Sequence, residues 1–284
     1  MPASVEPVVW DAHDAQLWWR VPAVEDDKYS RGVLTVITGS TKYPGAAVLS
    51  VEAAARTGIG MIRYIGAAEP TRLVLERRPE VVIQPGQSQA VLMGPGIDPE
   101  ALDDEQVLSI EGALRGSAPV VLDAGLLGRV KECVAPKVIT PHARELARLL
   151  GSLGYRVDEH EVTRDPSWWA QVCADMTGAT VLLKGATTHI VTPRNEEDDR
   201  FYFVVNSTTH WMATAGTGDV LAGILGALVA THAEAVHVES RILGALAATA
   251  AFIHAQAGAI ASGGGPLVAL DVAEAIPAAV AGLR

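Results

Sequence analysis

From Arg31 onward, short β-branched runs alternate with helix-forming stretches, and this alternation limits the possible folds more than any other feature of the chain. Val33-Leu-Thr-Val-Ile37 ends at Gly39, Ala46 to Arg56 has helical composition closed by Gly58, and Met61 to Ile65 supplies the next strand. Strand candidates follow at Val81 to Ile83, Val91 to Met93 and Val120 to Asp123, with a helix expected from Pro99 to Leu114. Val138-Ile139, Val181 to Lys184 and His189 to Thr192 extend the strands, and Arg144 to Leu150 and Trp168 to Thr177 supply helices between them. Phe201 to Val205 reads as a locally paired strand, with Glu196 to Asp199 as its hairpin loop. Beyond Gly218 the pattern turns helical, over Val220 to Ala230, Ser240 to Ala257 and Val272 to Ala281, with a Gly263-Gly-Gly-Pro266 break before the last. The whole predicts an α/β fold with a mostly parallel central sheet in one domain, residues 31–284. Residues 1–30, with Trp10, Trp18, Trp19 and Glu25-Asp26-Asp27, show no sustained period and read as an N-terminal arm over that domain.

Composition narrows the partners. In a chain of 284 residues, 49% apolar and 5% aromatic, helices packed on a buried sheet are expected. The net charge of −11 repels a phosphodiester backbone, and no Lys/Arg cluster opposes it, so nucleic acid is not expected as a partner. An anionic metabolite is still accessible to such a protein where a few cations and backbone N–H groups converge. Cys133 and Cys173 form neither a C-x-x-C pair nor a disulfide framework and read as packing residues in a reducing compartment. Met1 to Trp10 carries Glu6 and no basic-then-apolar leader. Ile242 to Ala261 is apolar enough to resemble a membrane span, but its Ala and Gly content, His254 and Gln256 point to a buried helix. The expectation is a cytoplasmic protein with no membrane contact.

In an open α/β sheet, ligands collect beyond the carboxyl ends of the strands, and the motifs of this chain lie at such junctions. Thr214-Ala-Gly-Thr-Gly-Asp219 precedes an apolar helix, so Gly216, Thr217 and Gly218 offer close backbone approach while the helix N-terminus points its N–H groups at an anion. Asp219 then falls in the first helical turn, either as a cap or as a base taking a proton from an attacking hydroxyl. Lys184, Gly185, Ala186, Thr187 and Thr188 follow an apolar strand, so the lysine can meet phosphate and the threonines offer hydroxyls. Gly39 to Ala46 and Gly94-Pro-Gly96 are small-residue loops, compatible with a ligand near Ala46 and Gly96 or with ordinary turns. His142, in Thr140-Pro-His142, sits at another strand end, as a substrate contact or as a structurally satisfied histidine. No His/Cys/Asp/Glu spacing suggests a dedicated metal site, and no G-x-S-x-G elbow is present. Any metal is expected to arrive as Mg²⁺ with a nucleotide.

Taken in order, G-S-x-x-Y-x-G-A, G-P-G, L-D-A, T-P-H, L-K-G-x-x-T and G-T-G-D resemble the ADP- or ATP-dependent NAD(P)H-hydrate dehydratases of the ribokinase-like superfamily, over about Lys28 to Asp271. The resemblance implies a ribokinase-like three-layer α/β/α fold and repair of hydrated nicotinamide cofactors. Phosphoryl transfer would turn the ring hydroxyl into a leaving group, with ADP or ATP as co-substrate, Mg²⁺ as cofactor, and AMP and phosphate as by-products of ADP. Matched by motif, Ala46, Gly96, His142 and Asp219 would contact the hydrated substrate, Lys184 to Thr188 and Gly216 to Gly218 would hold the nucleotide, and Asp219 would be the base. Ala215 stands where the family commonly has Gly. The resemblance also implies a homo-oligomer, with a tetramer as the family precedent, and a separate protein to interconvert hydrate epimers. Two other readings stay open on residues alone: a ribokinase-like small-molecule kinase, such as one acting on hydroxyethylthiazole, and a catalytically silent nucleotide-binding protein.

Overall fold

A computed structural model of the chain describes residues 6–283. In chain order its regular elements begin with β1 (Val8–Val9), α1 (Ala12–Leu17), β2 (Val33–Ile37), α2 (Pro44–Arg56), β3 (Met61–Tyr64) and α3 (Ala68–Arg77). They continue with β4 (Ala90–Met93), α4 (Asp104–Arg115), β5 (Val120–Leu122), β6 (Lys137–Ile139), α5 (Ala143–Ser152), α6 (Glu159–Arg164) and α7 (Pro166–Thr177). The last are β7 (Thr180–Leu183), β8 (Thr187–Val191), β9 (Tyr202–Asn206), α8 (Thr217–Thr231), α9 (Ala233–Val238), α10 (Ile242–Ser262) and α11 (Ala269–Ala281). Short 3₁₀ segments cover Ala124–Glu132 and His210–Met212.

The strands form one sheet in the order β1-β9-β8-β7-β6-β5-β4-β2-β3. Every described pairing is parallel except those of β8 with β7 and β9. Alternation of side chains divides the sheet between two cores. Leu34, Leu92, Val121, Val138 and Leu182 face α2, α8, α10 and α11, whereas Val91, Met93, Leu122, Ile139 and Val181 face α4, α5 and α7. Each such large side chain contributes about 1.5–3 kcal/mol on burial, so three layers are the stable arrangement.

α8 lies at the middle of the first layer, buried from Val220 to Ala230. Glycines on it admit neighbours on two sides: a Cβ at Gly223 would stand 2.3 Å from the Ser50 carbonyl oxygen of α2. A Cβ at Gly226 would stand 3.1 Å from Leu34 and 3.2 Å from Leu92 of the sheet. α10, long and apolar enough by composition to cross a membrane, is instead 72% buried over its apolar stretch. It packs against α8, α11 and β7 to β9.

Several boundaries differ from the sequence reading. No strand forms at Val81 to Ile83; Val82 makes one bridge to Arg63, and the segment is bracketed by Pro79 and Pro85 at a sheet edge. The Arg63 guanidinium takes the Gln84 and Gln87 carbonyls that a ladder would need. α4 starts at Asp104, not Pro99, because Asp103 and Gln106 close a capping box there. α3 was absent from the pattern because its only buried side chains are Pro70 and Val74. At the N-terminus, Val8 and Val9 pair with β9, and Trp10 is buried edge-on against Phe203 at 4.7 Å. A two-residue strand has too few positions to show a period. Asp11, His13 and Asp14 bring possible ligand atoms within 4.8 Å of one another, but both aspartates are engaged in the capping box of α1. Both cysteines are free and buried.

Candidate active site

Parallel strands deliver their carboxyl ends to one edge of the sheet, and β5, β6 and β7 bring three charged residues together there. β5 runs directly into Asp123, β6 into Thr140, Pro141 and His142, and β7 into Lys184. The Lys184 N–H donates to the Pro141 carbonyl at 2.8 Å, fixing the ends of β6 and β7 side by side. Lys184 Nζ then lies 3.0 Å and 3.3 Å from the two Asp123 carboxylate oxygens and 3.8 Å from Glu145 Oε2. Burial works against the ammonium, but Asp123, Glu145 and Asp219 outweigh it and hold its pKa above the ordinary lysine value.

Backbone geometry at Asp123 is specific. Its carboxylate accepts the N–H of Ala124 at 2.8 Å, and Ala124 is held at φ 44°, a left-handed conformation that costs an alanine of order 1 kcal/mol. On the adjoining strand end, Gly94 has φ 117°, and a Cβ there would stand 1.9 Å from the Asp123 carbonyl oxygen. Only glycine fits that approach.

The fourth group arrives on α8. Gly216 is the N-cap in the left-handed region, at φ 91°, and the Thr217 hydroxyl donates within 3.1 Å of the Met212 carbonyl and 3.0 Å of the Thr214 carbonyl. Gly218 faces the lysine: a Cβ there would stand 3.4 Å from Lys184 Nζ. Asp219 occupies the third helical position, where Asp14, Glu145, Glu161 and Asp271 each close a capping box on their own helices. α8 has no such side-chain cap. Asp219 is half-buried, and burial, together with Asp123 and Glu145, raises its pKa to about 7 against the opposing pull of Lys184.

Cavities open on either side of this cluster. One, of about 350 Å³, is lined by Lys184, Gly185, Ala186, Thr188, Thr217 and Gly218 among the expected nucleotide residues. Val205, Leu221, Ala251 and Ala255 give it apolar walls, and Asn206 and His254 are also on it. The other, of about 400 Å³, is lined by Tyr43, Ile97, Asp98, Ala124, Glu145 and Arg148, among others. Lys184 borders the first and its partner Glu145 the second, so the cluster separates them.

Of the expected substrate contacts none lines the second cavity, but Gly96 precedes Ile97 on its wall and His142 bonds Glu145, which also lines it. A Cβ on Gly96, at φ 63°, would stand 2.5 Å from the Ala46 Cβ and 2.9 Å from the Tyr43 carbonyl, so this glycine lets the start of α2 rest on the loop after β4. His142 is exposed, and its Nδ1 accepts the Glu145 N–H at 3.3 Å while Glu145 returns a bond to the His142 N–H at 2.9 Å. Its ring thereby helps orient Glu145. Two expected nucleotide residues are placed differently from their neighbours: the Thr187 hydroxyl donates to Asn206 Oδ1 at 2.9 Å, and Gly216 packs against Leu49 and Ala269. Asp123, Glu145 and His254 were not among the candidate residues. For Asp123 the available signal was its place at the end of an apolar strand, the same place as Lys184.

In its layers and strand arrangement the chain is a ribokinase-like three-layer α/β/α protein. It belongs to the NAD(P)H-hydrate dehydratase family, whose sequence model matches residues 34–277. It is 37% identical over 263 residues to the bifunctional NAD(P)H-hydrate repair enzyme of Mycobacterium leprae, covering 88% of this chain and 50% of the relative. The chain thus spans about half the length of the bifunctional relatives it matches. It is 29% identical to the ADP-dependent (S)-NAD(P)H-hydrate dehydratase of Xanthomonas campestris, over 84% of this chain and 83% of that one. The fold matches the crystal structure of the ADP/ATP-dependent NAD(P)H-hydrate dehydratase of Bacillus subtilis co-crystallized with ATP/Mg²⁺, with a TM-score of 0.82 and 22% identity over 98% of this chain and 99% of that one.

Proposed function

We propose that the chain dehydrates (S)-NAD(P)H hydrate to NAD(P)H at the expense of a nucleotide, with ADP giving AMP and phosphate. One observation carries the catalytic assignment: Asp219, at the N-terminus of a buried helix and next to Gly218, which lines the first cavity, has a pKa raised to about 7. A base that is half ionised at neutral pH can accept a proton from a hydroxyl and still be regenerated.

The nucleotide occupies the first cavity, its phosphates toward Lys184, Gly218 and the N–H groups at the start of α8, its base against the apolar walls. Gly185, Ala186 and Thr188 line that cavity, and Thr187 and Gly216 support it from behind. The hydrated ring enters from the side of Ala46, Gly96 and His142. Asp219 removes the proton of the ring hydroxyl as its oxygen attacks the terminal phosphorus, and the bond to the bridging oxygen breaks to release AMP. The phosphate then leaves carbon with the bonding pair and takes up the proton that the adjacent ring carbon loses, restoring the double bond. Hydroxide leaves carbon poorly and phosphate leaves well, so the transfer lowers the barrier to elimination. Lys184 and the helix end stabilise charge on the transferring group.

Mg²⁺ fits this site: three carboxylates, Asp123, Glu145 and Asp219, surround one lysine, leaving oxygen partners beside the phosphate end. When bound with the nucleotide, it would neutralise phosphate oxygens. The domain carrying this chemistry is residues 31–284, with residues 1–30 as its arm, in a cytoplasmic homotetramer.

The test combines the protein, Mg²⁺, ADP or ATP, and hydrated NADH. Recovery of reduced-nicotinamide absorbance is expected, and no recovery with either nucleotide would sink the assignment. A stable phosphorylated product in its place would make the protein a small-molecule kinase.

A further inference from the structure

One wall of the second cavity is a single face of α5: Glu145, Arg148, Leu149 and Ser152 line it, at helical spacing. Its charged groups are two carboxylates, Asp98 and Glu145, and two cations, Lys42 and Arg148. Both carboxylates are engaged. Glu145 Oε2 accepts the His142 N–H at 2.9 Å and stands 3.8 Å from Lys184 Nζ, and Asp98 lies 4.0 Å from Lys42 Nζ. The Lys42 ammonium also sits 5.3 Å from the ring centre of Tyr43, another lining residue, with its side chain 64% exposed, so it stands at the solvent side of the cavity. Arg148 is placed differently. Arg144, one turn earlier, is paired with Glu159 at 2.8 Å, whereas Arg148 is exposed and forms no ion pair or side-chain hydrogen bond among the described residues. A guanidinium with its N–H donors unused on a cavity wall fits an anionic ligand, in a protein whose net charge of −11 repels anions elsewhere.

We infer that Arg148, with Lys42 of the loop before α2, binds a phosphate of the dinucleotide substrate, either its pyrophosphate or the additional 2′-phosphate of the NADPH form. This rests on placing the hydrated ring beside Asp219. The hydrated ring itself is uncharged, so the negative charge of the substrate lies on its phosphates. Position agrees. Glu145 belongs to the charged cluster around Lys184, and Arg148 stands three residues further along α5, about 4.5 Å by helical rise, before its own side chain extends. A ribose separates the nicotinamide ring from the first phosphate of a dinucleotide, a spacing of the same order. The guanidinium offers paired N–H groups to phosphate oxygens, and the lysine adds a mobile point charge.

The test measures equilibrium binding of NADH hydrate, NADPH hydrate and the hydrate of reduced nicotinamide riboside, which has no phosphate. ADP and ATP are left out, so no turnover occurs. The proteins are the full chain as wild type, Arg148→Ala, Arg148→Lys and Lys42→Ala. Arg148→Ala is expected to weaken NADPH hydrate roughly three- to tenfold, and Lys42→Ala to weaken it less, while the riboside hydrate binds all four proteins alike. Arg148→Lys, which keeps the charge, should recover part of the loss. An equal loss for NADH hydrate assigns the pyrophosphate, and NADH hydrate bound as by the wild type assigns the 2′-phosphate. Unchanged binding of NADPH hydrate to Arg148→Ala overturns the proposal. So does an equal loss for the riboside hydrate, which would mark a disturbed cavity in place of a phosphate contact. Riboside hydrate bound by the wild type as tightly as NADPH hydrate overturns it without reference to any variant. No binding of any of the three to the wild type removes the substrate site itself, a failure distinct from loss of phosphate recognition.

Discussion

The ammonium of Lys184 rests against the bare backbone of Gly218, so closely that a Cβ on that residue would stand 3.4 Å from Nζ. A strand end and a helix N-terminus, separate in the chain, thereby present a cation and backbone N–H groups to the same space. Asp219 follows directly on the helix, yet Nζ bonds Asp123, at 3.0 Å. Lys184 thus neutralises the neighbour while Asp219 retains an elevated proton affinity.

Asp219→Asn is expected to lower kcat by roughly 10²- to 10⁴-fold while leaving nucleotide affinity nearly unchanged. The same substitution should raise Tm. Folding lifts the pKa of Asp219 from 3.8 to about 7, so the folded state binds the extra proton and stability falls as pH rises between those values. The variant escapes that loss, so its Tm advantage should be larger at pH 8 than at pH 5. Single-turnover kinetics and thermal melts at the two pH values check both statements.

The rate should fall as pH drops through about 7, because the protonated carboxyl is inactive as a base. Asp123 raises the Asp219 pKa and Lys184 lowers it. Asp123→Asn should therefore move the acid limb of the kcat/KM profile to lower pH, and Lys184→Met should move it to higher pH, whatever either does to the maximum rate. Shifts in the same direction for both variants would remove Asp219 from that limb.

Glu52 of α2 is fully buried and bonded to Arg56, Arg77 and Arg78. Burial penalises its charge, but the three guanidinium groups overcome this and lower its pKa from 4.5 to about 2. Its stabilising contribution is full above pH 4.5 and is lost as pH falls from there toward 2. Glu52→Gln should cost about 1–3 kcal/mol at pH 7, because three partly exposed guanidinium groups lose their charged acceptor, while Arg77 and Arg78 keep Glu274 and Glu80. Urea unfolding across pH should show the difference from wild type shrinking below pH 4.5.

Gly223→Ala should destabilise the protein by about 1–3 kcal/mol, since the new methyl meets the Ser50 carbonyl at 2.3 Å and α2 and α8 must part. Gly112→Ala, on α4 with open space around it, should instead stabilise by about 0.5–1 kcal/mol. Chemical denaturation of the pair separates steric cost from helix propensity.

The elements that the sequence revealed share a physical cause. β2, β4, β5 and β7 are buried on both faces and read as unbroken apolar runs, and α8 and α10 are buried almost all round. β1 escaped because two residues carry no period, and α3 because its inward face is only Pro70 and Val74. At the site, Lys184, Gly218 and Asp219 were legible because each stands where a strand or helix meets a loop. Asp123 stood at such a place too, in the L-D-A run that ends β5, but its pairing with Lys184, like that of Glu145, depends on the neighbour order of β5, β6 and β7, which no local pattern encodes. His254 was hidden for the opposite reason: within an alanine-rich helix it signals only an interruption, and its place on the cavity wall appears only once α10 packs beside α8.

The glycine contacts of α8 bear on how tightly its first turn is held. A carboxyl on a slack helix would swing toward water and recover an ordinary acidity. Asp219 cannot, because the rod beneath it is wedged between Ser50 on one flank and Leu34 and Leu92 on the other. The burial that raises its proton affinity thus sits at the end of a helix whose position is fixed by interior contacts one and two turns further along.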